Sequence, residues 1–254
     1  MSAALQVSKV TRSFGALRAV SDVSLQIAPG ERRAILGTNG AGKTTLFNLI
    51  AGDLPPTSGT IRLLDRDVST LPAFQRARLG ISRTYQASRV LRGLPVRDNL
   101  FLAVRGVQPH RFSLSRPRAN DKHRQRAEQL AEQVGLTARF DTAAGELSHG
   151  EQRQLEIGMA LAGEPRVMLL DEPAAGLSPT ERPALTQLLR RLPAQMTIVL
   201  IEHDMDVALS VADRVSVMNE GALIFEGSPG ETSASPLVQS LYLGTLGRED
   251  AAHH

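Results

Sequence analysis

Gly37-Thr38-Asn39-Gly40-Ala41-Gly42-Lys43-Thr44-Thr45 fits the pattern G-x-x-x-x-G-K-[ST] without a gap. Its three glycines let the backbone turn tightly and direct successive N–H groups inward, as a concave nest for phosphate oxygens. Lys43 supplies a full charge for the β- and γ-phosphates, and the Thr44 hydroxyl is placed to ligate Mg²⁺. A second constellation lies in Val167-Met168-Leu169-Leu170-Asp171-Glu172-Pro173, where two carboxylates follow an apolar run. Asp171 is suited to hold Mg²⁺ directly or through water. Glu172 can orient and deprotonate an attacking water. Asp-Glu-Pro at a strand end is unremarkable by itself, but beside a phosphate loop it reads as hydrolysis of a nucleoside triphosphate.

Two further stretches leave alternatives open. In Leu147-Ser148-His149-Gly150-Glu151-Gln152-Arg153-Gln154, Ser148 and Glu151 have the spacing of a helix capping box. The same geometry offers a hydroxyl and free N–H groups to an anion, so cap and phosphate sensor are both compatible. His203, in Ile201-Glu202-His203-Asp204, sits beside acids at a predicted strand end. There an imidazole can contact a γ-phosphate, although a lone histidine is more often a surface or capping residue.

These residues need rigid elements behind them. Arg33-Ala34-Ile35-Leu36 reads as a buried strand entering the phosphate loop, and Leu46, Leu49 and Ile50 mark one face of a helix that Gly52 can cap. Before it, Leu5, Val7 and Val10, then Val23, Leu25 and Ile27, alternate as half-buried strands. Short strands follow at Thr60–Leu63 and Ile81–Tyr85, ending at Gln86. From about Val96 to Met159 the spacing becomes helical. Apolar strands at Val167–Leu170 and Thr197–Ile201, separated by an amphipathic stretch around Leu185, Leu188, Leu189 and Leu192, predict a parallel sheet covered on both faces. Ligands bind at the C-terminal ends of such strands.

At 254 residues, the chain suits one large domain or a core with a subdomain. No apolar run approaches the roughly 18 residues of a membrane span, and no signal-peptide core opens the chain, so a soluble, unexported protein is expected. The absence of cysteine excludes disulfides, thiolate metal sites and cysteine nucleophiles. Scarce aromatics and no tryptophan leave little for stacking on single-stranded nucleic acid. The net charge of +3 demands no acidic partner. Arg105, Arg111, Arg116, Arg118, Lys122, Arg124 and Arg126 face only Asp121. Their composition favours a solvated loop over a phosphate-binding patch. His253 and His254 read as part of a tail, not as metal ligands.

In this order, the phosphate loop, Gln86, Leu147 to Gln154, Asp171-Glu172 and His203 resemble the ATPase subunit of ABC transporters, from about Leu5 to Leu246. The resemblance implies an α/β, P-loop NTPase fold: a RecA-like core with a mainly parallel sheet, an N-terminal antiparallel β subdomain and an α-helical signature subdomain. One domain would span 1–254, with 1–86 and 160–246 as core plus β subdomain, about 87–159 helical, and 247–254 a flexible tail. ATP and Mg²⁺ are the implied cofactors. Nucleotide would contact Phe14, Gly37, Asn39, Gly40, Gly42, Lys43, Thr44 and Thr45, with Phe14 stacking on adenine unless it is a buried core residue. Ser148 and Gly150 would complete the ATP site of the opposite subunit. Thr44, Gln86 and Asp171 would meet the metal; Glu172, His203 and Gln86 would serve catalysis. Gln86 would also communicate with the membrane partner.

Two positions depart from the family pattern. His149 replaces the first residue of the G-G pair in L-S-G-G-Q, with Gly150 keeping the second, and Ser178 stands where S-A-L-D has aspartate, so the role of that aspartate is not carried over. Arg83-Thr84-Tyr85-Gln86, Asp171 to Leu177, Ile201-Glu202-His203-Asp204-Met205 and Tyr242-Leu243-Gly244 are similar to bacterial uptake ATPases for branched-chain amino acids. Related systems import urea, amides or aromatic acids. The implied partners are transmembrane permease subunits, a second ATPase subunit and, indirectly, a periplasmic solute-binding protein. The implied location is peripheral, on the cytoplasmic face of the bacterial inner membrane. A soluble ABC-type ATPase acting on nucleic acid or ribosomes is the alternative, but the coiled-coil insertion or second ATPase domain usual there is lacking, so no nucleic-acid partner is expected. A lipid or lipopolysaccharide export ATPase shares the same core.

Overall fold

The computed structural model describes residues 3–85, 90–107 and 122–249. Its elements run β1 (Leu5–Phe14), β2 (Leu17–Ile27), β3 (Arg32–Gly37), α1 (Lys43–Ala51), β4 (Ser58–Leu63), β5 (Arg66–Asp67), α2 (Ala73–Arg78) and β6 (Ile81–Arg83). Three helices follow, α3 (Val96–Gly106), α4 (Lys122–Gln133) and α5 (His149–Leu161). The chain then alternates through β7 (Val167–Asp171), α6 (Arg182–Arg191), β8 (Thr197–Ile201), α7 (Met205–Val211), β9 (Arg214–Asn219), β10 (Ala222–Gly227), α8 (Pro229–Ala234) and α9 (Pro236–Glu249).

Two sheets result. β2-β1-β4-β5 is antiparallel throughout, with Leu5, Val7, Val10, Val23, Leu25 and Ile27 buried as the alternation predicts. The second sheet has the order β10-β9-β3-β8-β7-β6 and is parallel except for the β9–β10 hairpin at its edge. Its central strands are buried on both faces, which explains why they read as continuous apolar runs. Ile35, Val167, Leu169, Val199 and Ile201 pack with α1 and the antiparallel sheet. Ala34, Leu36, Met168, Leu170, Ile198 and Leu200 face the opposite cluster, which includes Leu100, Leu130, Leu155, Leu185 and Leu189 of the helices.

Parallel register sets the working edge. Ile35 pairs with Ile201, and Ile201 with Asp171. The ends of β3, β7 and β8 therefore lie level, and everything that follows them projects from one side of the sheet.

Several features differ from the sequence reading; strand β6, for one, stops at Arg83, short of the expected Tyr85. Helix α2 was not expected, because six residues carry too little periodicity to register. It delivers Arg76, buried, to the C-terminus of α1, where one amino group donates to the carbonyls of Leu49 (2.6 Å) and Ile50 (2.8 Å). Burial lowers the Arg76 pKa to about 10, and a cation answers the partial negative charge of that helix end. Strand β4 begins at Ser58 rather than Thr60. Helix α9 continues to Glu249, past the expected start of the tail at Gly247.

Candidate functional site

Strand β3 runs buried through Ala34, Ile35 and Leu36, then breaks at Gly37, where a Cβ would lie 2.3 Å from the carbonyl oxygen of Met218. Asn39 and Gly40 form an exposed tip. Gly42, at φ 95, is the N-cap of α1, and a Cβ there would meet the Ala19 oxygen at 2.3 Å. No side chain caps this helix. Its first-turn N–H groups, without intrahelical acceptors by construction, are left for an incoming anion. Lys43 is buried and donates through Nζ to the carbonyls of Gly37 (2.6 Å) and Thr38 (3.0 Å). Burial lowers its pKa, opposed by the charges of Glu172 and Asp171. Thr44 is exposed and Thr45 half-buried on the same turn. From α9, the Tyr242 hydroxyl accepts the Gly37 N–H at 2.9 Å, and burial raises the pKa of that hydroxyl.

Asp171 ends β7 and is 2% exposed. Its Oδ2 accepts from Arg83 Nη2 at 2.6 Å, while Oδ1 is buried without a hydrogen-bond partner. Arg83 also donates to Asn48 Oδ1 (2.6 Å) and Asp53 Oδ2 (2.8 Å), tying β6, α1 and β7 together. An orphaned carboxylate oxygen and the exposed Thr44 hydroxyl are hard oxygen donors, as Mg²⁺ prefers; these residues fit that ion. Glu172 is left-handed, at φ 47, and its Oε2 lies 3.9 Å from Nδ1 of His203. His203 is more than half exposed. Lys43, Asp171, Glu172 and His203 thus share the working edge of the sheet.

Ser148 and Gly150 belong to a differently built helix end. Ser148 caps α5 with a complete capping box: Glu151 N–H donates to Ser148 Oγ at 3.2 Å, and Ser148 N–H to Glu151 Oε2 at 2.9 Å. The Gly150 N–H donates to Glu181 Oε1 at 3.0 Å. Glu181 Oε2 accepts from the Ser178 N–H (3.0 Å) and hydroxyl (2.9 Å). These donors hold the Glu181 carboxyl down at about 2. His149 is the first residue of α5 and has ordinary helical backbone, so the freedom of a glycine is not needed there. Phe14 is 44% exposed, with the Arg12 guanidinium 4.7 Å from its ring centre. That excludes the buried-core reading and leaves an open aromatic face. Gln86 and most of the basic stretch, 108–121, lie outside the described residues.

Four residues at the site were missed as actors in the sequence. Arg83 and Tyr242 were noticed only as parts of similar stretches. A charged residue directly after an apolar strand is the available signal for Glu202, which is fully buried after β8. Burial raises the Glu202 pKa. Glu181 carried no signal, since its partner Gly150 is 31 residues away.

Comparisons with known proteins place the chain in a family. A family model described as ABC transporter matches residues 20–175. The chain is 39% identical to the high-affinity branched-chain amino acid transport ATP-binding protein LivG of Escherichia coli (strain K12), over 94% of this chain and 97% of that one. It is 37% identical to the lipopolysaccharide export system ATP-binding protein LptB of Acidithiobacillus ferridurans, over 96% and 98%. Among solved structures, the ADP conformation of an ATP-binding cassette of an ABC transporter superposes with a TM-score of 0.86. It is 29% identical and covers 96% of this chain and 99% of its own.

Proposed function

The chain belongs to the ABC transporter family, and from that premise we propose that it is the ATP-binding and hydrolysing subunit of a bacterial importer for branched-chain amino acids. Hydrolysis rests above all on one observation: at the C-terminal edge of the parallel sheet Asp171 keeps a buried carboxylate oxygen without a hydrogen-bond partner, and the next residue, Glu172, lies 3.9 Å from His203. The solute rests on the likeness to LivG.

In this reading, the first turn of α1 and Lys43 hold the β- and γ-phosphates, Asn39, Gly40 and Thr45 complete the nest, and the open face of Phe14 takes the adenine. Thr44 and Asp171, with Gln86, would hold Mg²⁺, which neutralises phosphate charge when bound. Glu172 accepts a proton from the water that attacks the γ-phosphorus, and ADP departs. His203, beside Glu172, donates to the γ-phosphate. Ser148 and Gly150 serve the nucleotide of a second ATPase subunit, so two chains bury two ATPs between them. Residues 1–86 and 160–246 act as the core and about 87–159 as the helical part.

No helix among the described residues is long and apolar enough to cross a membrane. We therefore assign a peripheral position against permease subunits on the cytoplasmic face. A cavity of about 260 Å³ is lined by Ala77, Ile81, Tyr85, Val107 and Met159. We place the permease contact there.

The test is Glu172→Gln. It should keep ATP binding, lower phosphate release by about 10²–10⁴ and trap an ATP-bound dimer on gel filtration. Undiminished hydrolysis rejects the assignment. The likeness to LptB supports a second reading, export of a lipid or lipopolysaccharide. Purification with the native membrane partners decides: a periplasmic solute-binding protein that stimulates the ATPase only with its amino acid means import.

A further inference from the structure

Behind the turn that carries Glu172 stands a carboxylate without a role in the reaction as drawn. Glu202 follows the five buried residues of β8 and is itself fully buried. Its Oε1 accepts the N–H of Ala174 at 2.7 Å. One residue earlier, the Ile201 carbonyl accepts the N–H of Glu172 at 3.0 Å. Both ends of the tripeptide 172–174 are therefore pinned to consecutive residues at the end of the neighbouring strand. Between the pins, Glu172 holds φ 47, a conformation that a residue with a Cβ keeps only when its surroundings over-determine it. Pro173 has no N–H to give, so Ala174 supplies the next donor.

Fold stability alone does not account for this group. Glu202 Oε2 is buried and has no hydrogen-bond partner. Burying a carboxyl with half of its capacity unmet is costly, and an apolar side chain of similar volume would suit that place better. The bond made by Oε1 also leads onward. The Leu177 N–H donates to the Ala174 carbonyl at 3.1 Å, and Ser178 follows with its two bonds to Glu181. The contact thus sits where the water-activating turn joins the segment that reaches α5.

We propose that Glu202 is the positioning residue of the hydrolytic site: by holding the Ala174 N–H it keeps Glu172 in the left-handed conformation that aims its carboxylate at the attacking water. The inference rests on the ATPase reading above. It concerns turnover and not nucleotide affinity, because Glu202 bonds to the turn after β7 and not to the phosphate loop.

The experiment compares Glu202→Gln, Glu202→Leu and Glu202→Thr in the full chain, measuring kcat by phosphate release and Kd with a fluorescent ATP analogue. Leucine fills the volume but accepts nothing, and threonine is too short to reach Ala174. Both should lower kcat by about 10- to 100-fold, as a misplaced catalytic group does, with Kd changed by less than about threefold. Glutamine keeps the acceptor and should restore most of the rate. If the leucine variant does not fold, the threonine variant carries the same prediction. Full kcat in either, a parallel loss of ATP affinity, or glutamine as damaging as leucine overturns the proposal. If Glu172→Gln also keeps full activity, the ATPase reading has failed; if Glu172→Gln is inactive while Glu202→Leu turns over normally, only this inference has.

Discussion

The phosphate loop and the Leu147–Gln154 stretch each bring a helix N-terminus toward anion chemistry, and they are finished in opposite ways. At α1 the N-cap is Gly42 and no side chain accepts from the first turn. At α5 Ser148 and Glu151 satisfy one another's backbone, and a second carboxylate, Glu181, already holds the Gly150 N–H. Orphan N–H groups at a helix start must find acceptors somewhere. The first end leaves them to a ligand, while the second supplies them from its own chain. Under the proposed function, one half of the nucleotide site would therefore stand before nucleotide arrives. The other would have to exchange an internal carboxylate for a phosphate, which would tie it to a later event such as approach of a second subunit.

Lys43→Ala tests the first half most severely. The buried amine gives a charge-assisted contact to phosphate, so its removal should weaken ATP binding by roughly a hundredfold. It should change the melting temperature little, because the two carbonyl bonds lost with the amine, to Gly37 and Thr38, are offset by relief of its desolvation. Ser148→Ala in an isolated chain should leave ATP affinity unchanged. Equal losses in an equilibrium titration would erase the contrast between the two helix ends.

Glycine replacements sharpen the same contrast. Gly42→Ala forces a Cβ toward a backbone carbonyl at 2.3 Å in a left-handed residue, a strain of about 2 kcal/mol. The melting temperature should fall by roughly 5 °C. At Gly150 the added Cβ meets only side-chain atoms of Glu181, Oε1 at 3.0 Å, Cδ at 3.3 Å and Cβ at 3.4 Å, and no backbone carbonyl. Gly150→Ala should therefore shift melting by less than half as much. A larger drop at Gly150 than at Gly42 would show that α5 is the more rigid end.

These two ends were not equally legible in the sequence. The phosphate loop could be read because strand, turn and helix are contiguous, and each glycine answers a local backbone demand. The capping box of Ser148 and Glu151 was legible for the same reason. Glu181 and Glu202 were not, because their partners, Gly150 and Ala174, lie 31 and 28 residues away and meet them only after the sheet has set its register. Arg83 likewise meets Asp171 from 88 residues off. The order and type of the main elements followed from period, whereas α2 was too short to show one. The cap on α5 is thus a local fact, and its second carboxylate a tertiary one.

The smallest effect separates those two carboxylates by pH. Glu181 is held at about 2, against an ordinary 4.5, by the N–H groups of Ser178 and Gly150 and the Ser178 hydroxyl. A depressed carboxyl stabilises the fold fully above its unfolded value, and the contribution disappears as pH falls toward the folded one. The stability gap between the native chain and Glu181→Gln should therefore be flat above about pH 5 and shrink steadily from about pH 4.5 downward. Because Glu181 is only half-buried, added salt should narrow the gap at neutral pH. Urea melts at pH 7, 5, 4 and 3 would measure it, with about 0.5 M salt as the screened control. A gap that stays constant down to pH 3 would mean that the charge of Glu181 does not hold Gly150. The Gly150 N–H would then be free for phosphate, with the Ser148–Glu151 box still closing the rest of the α5 terminus.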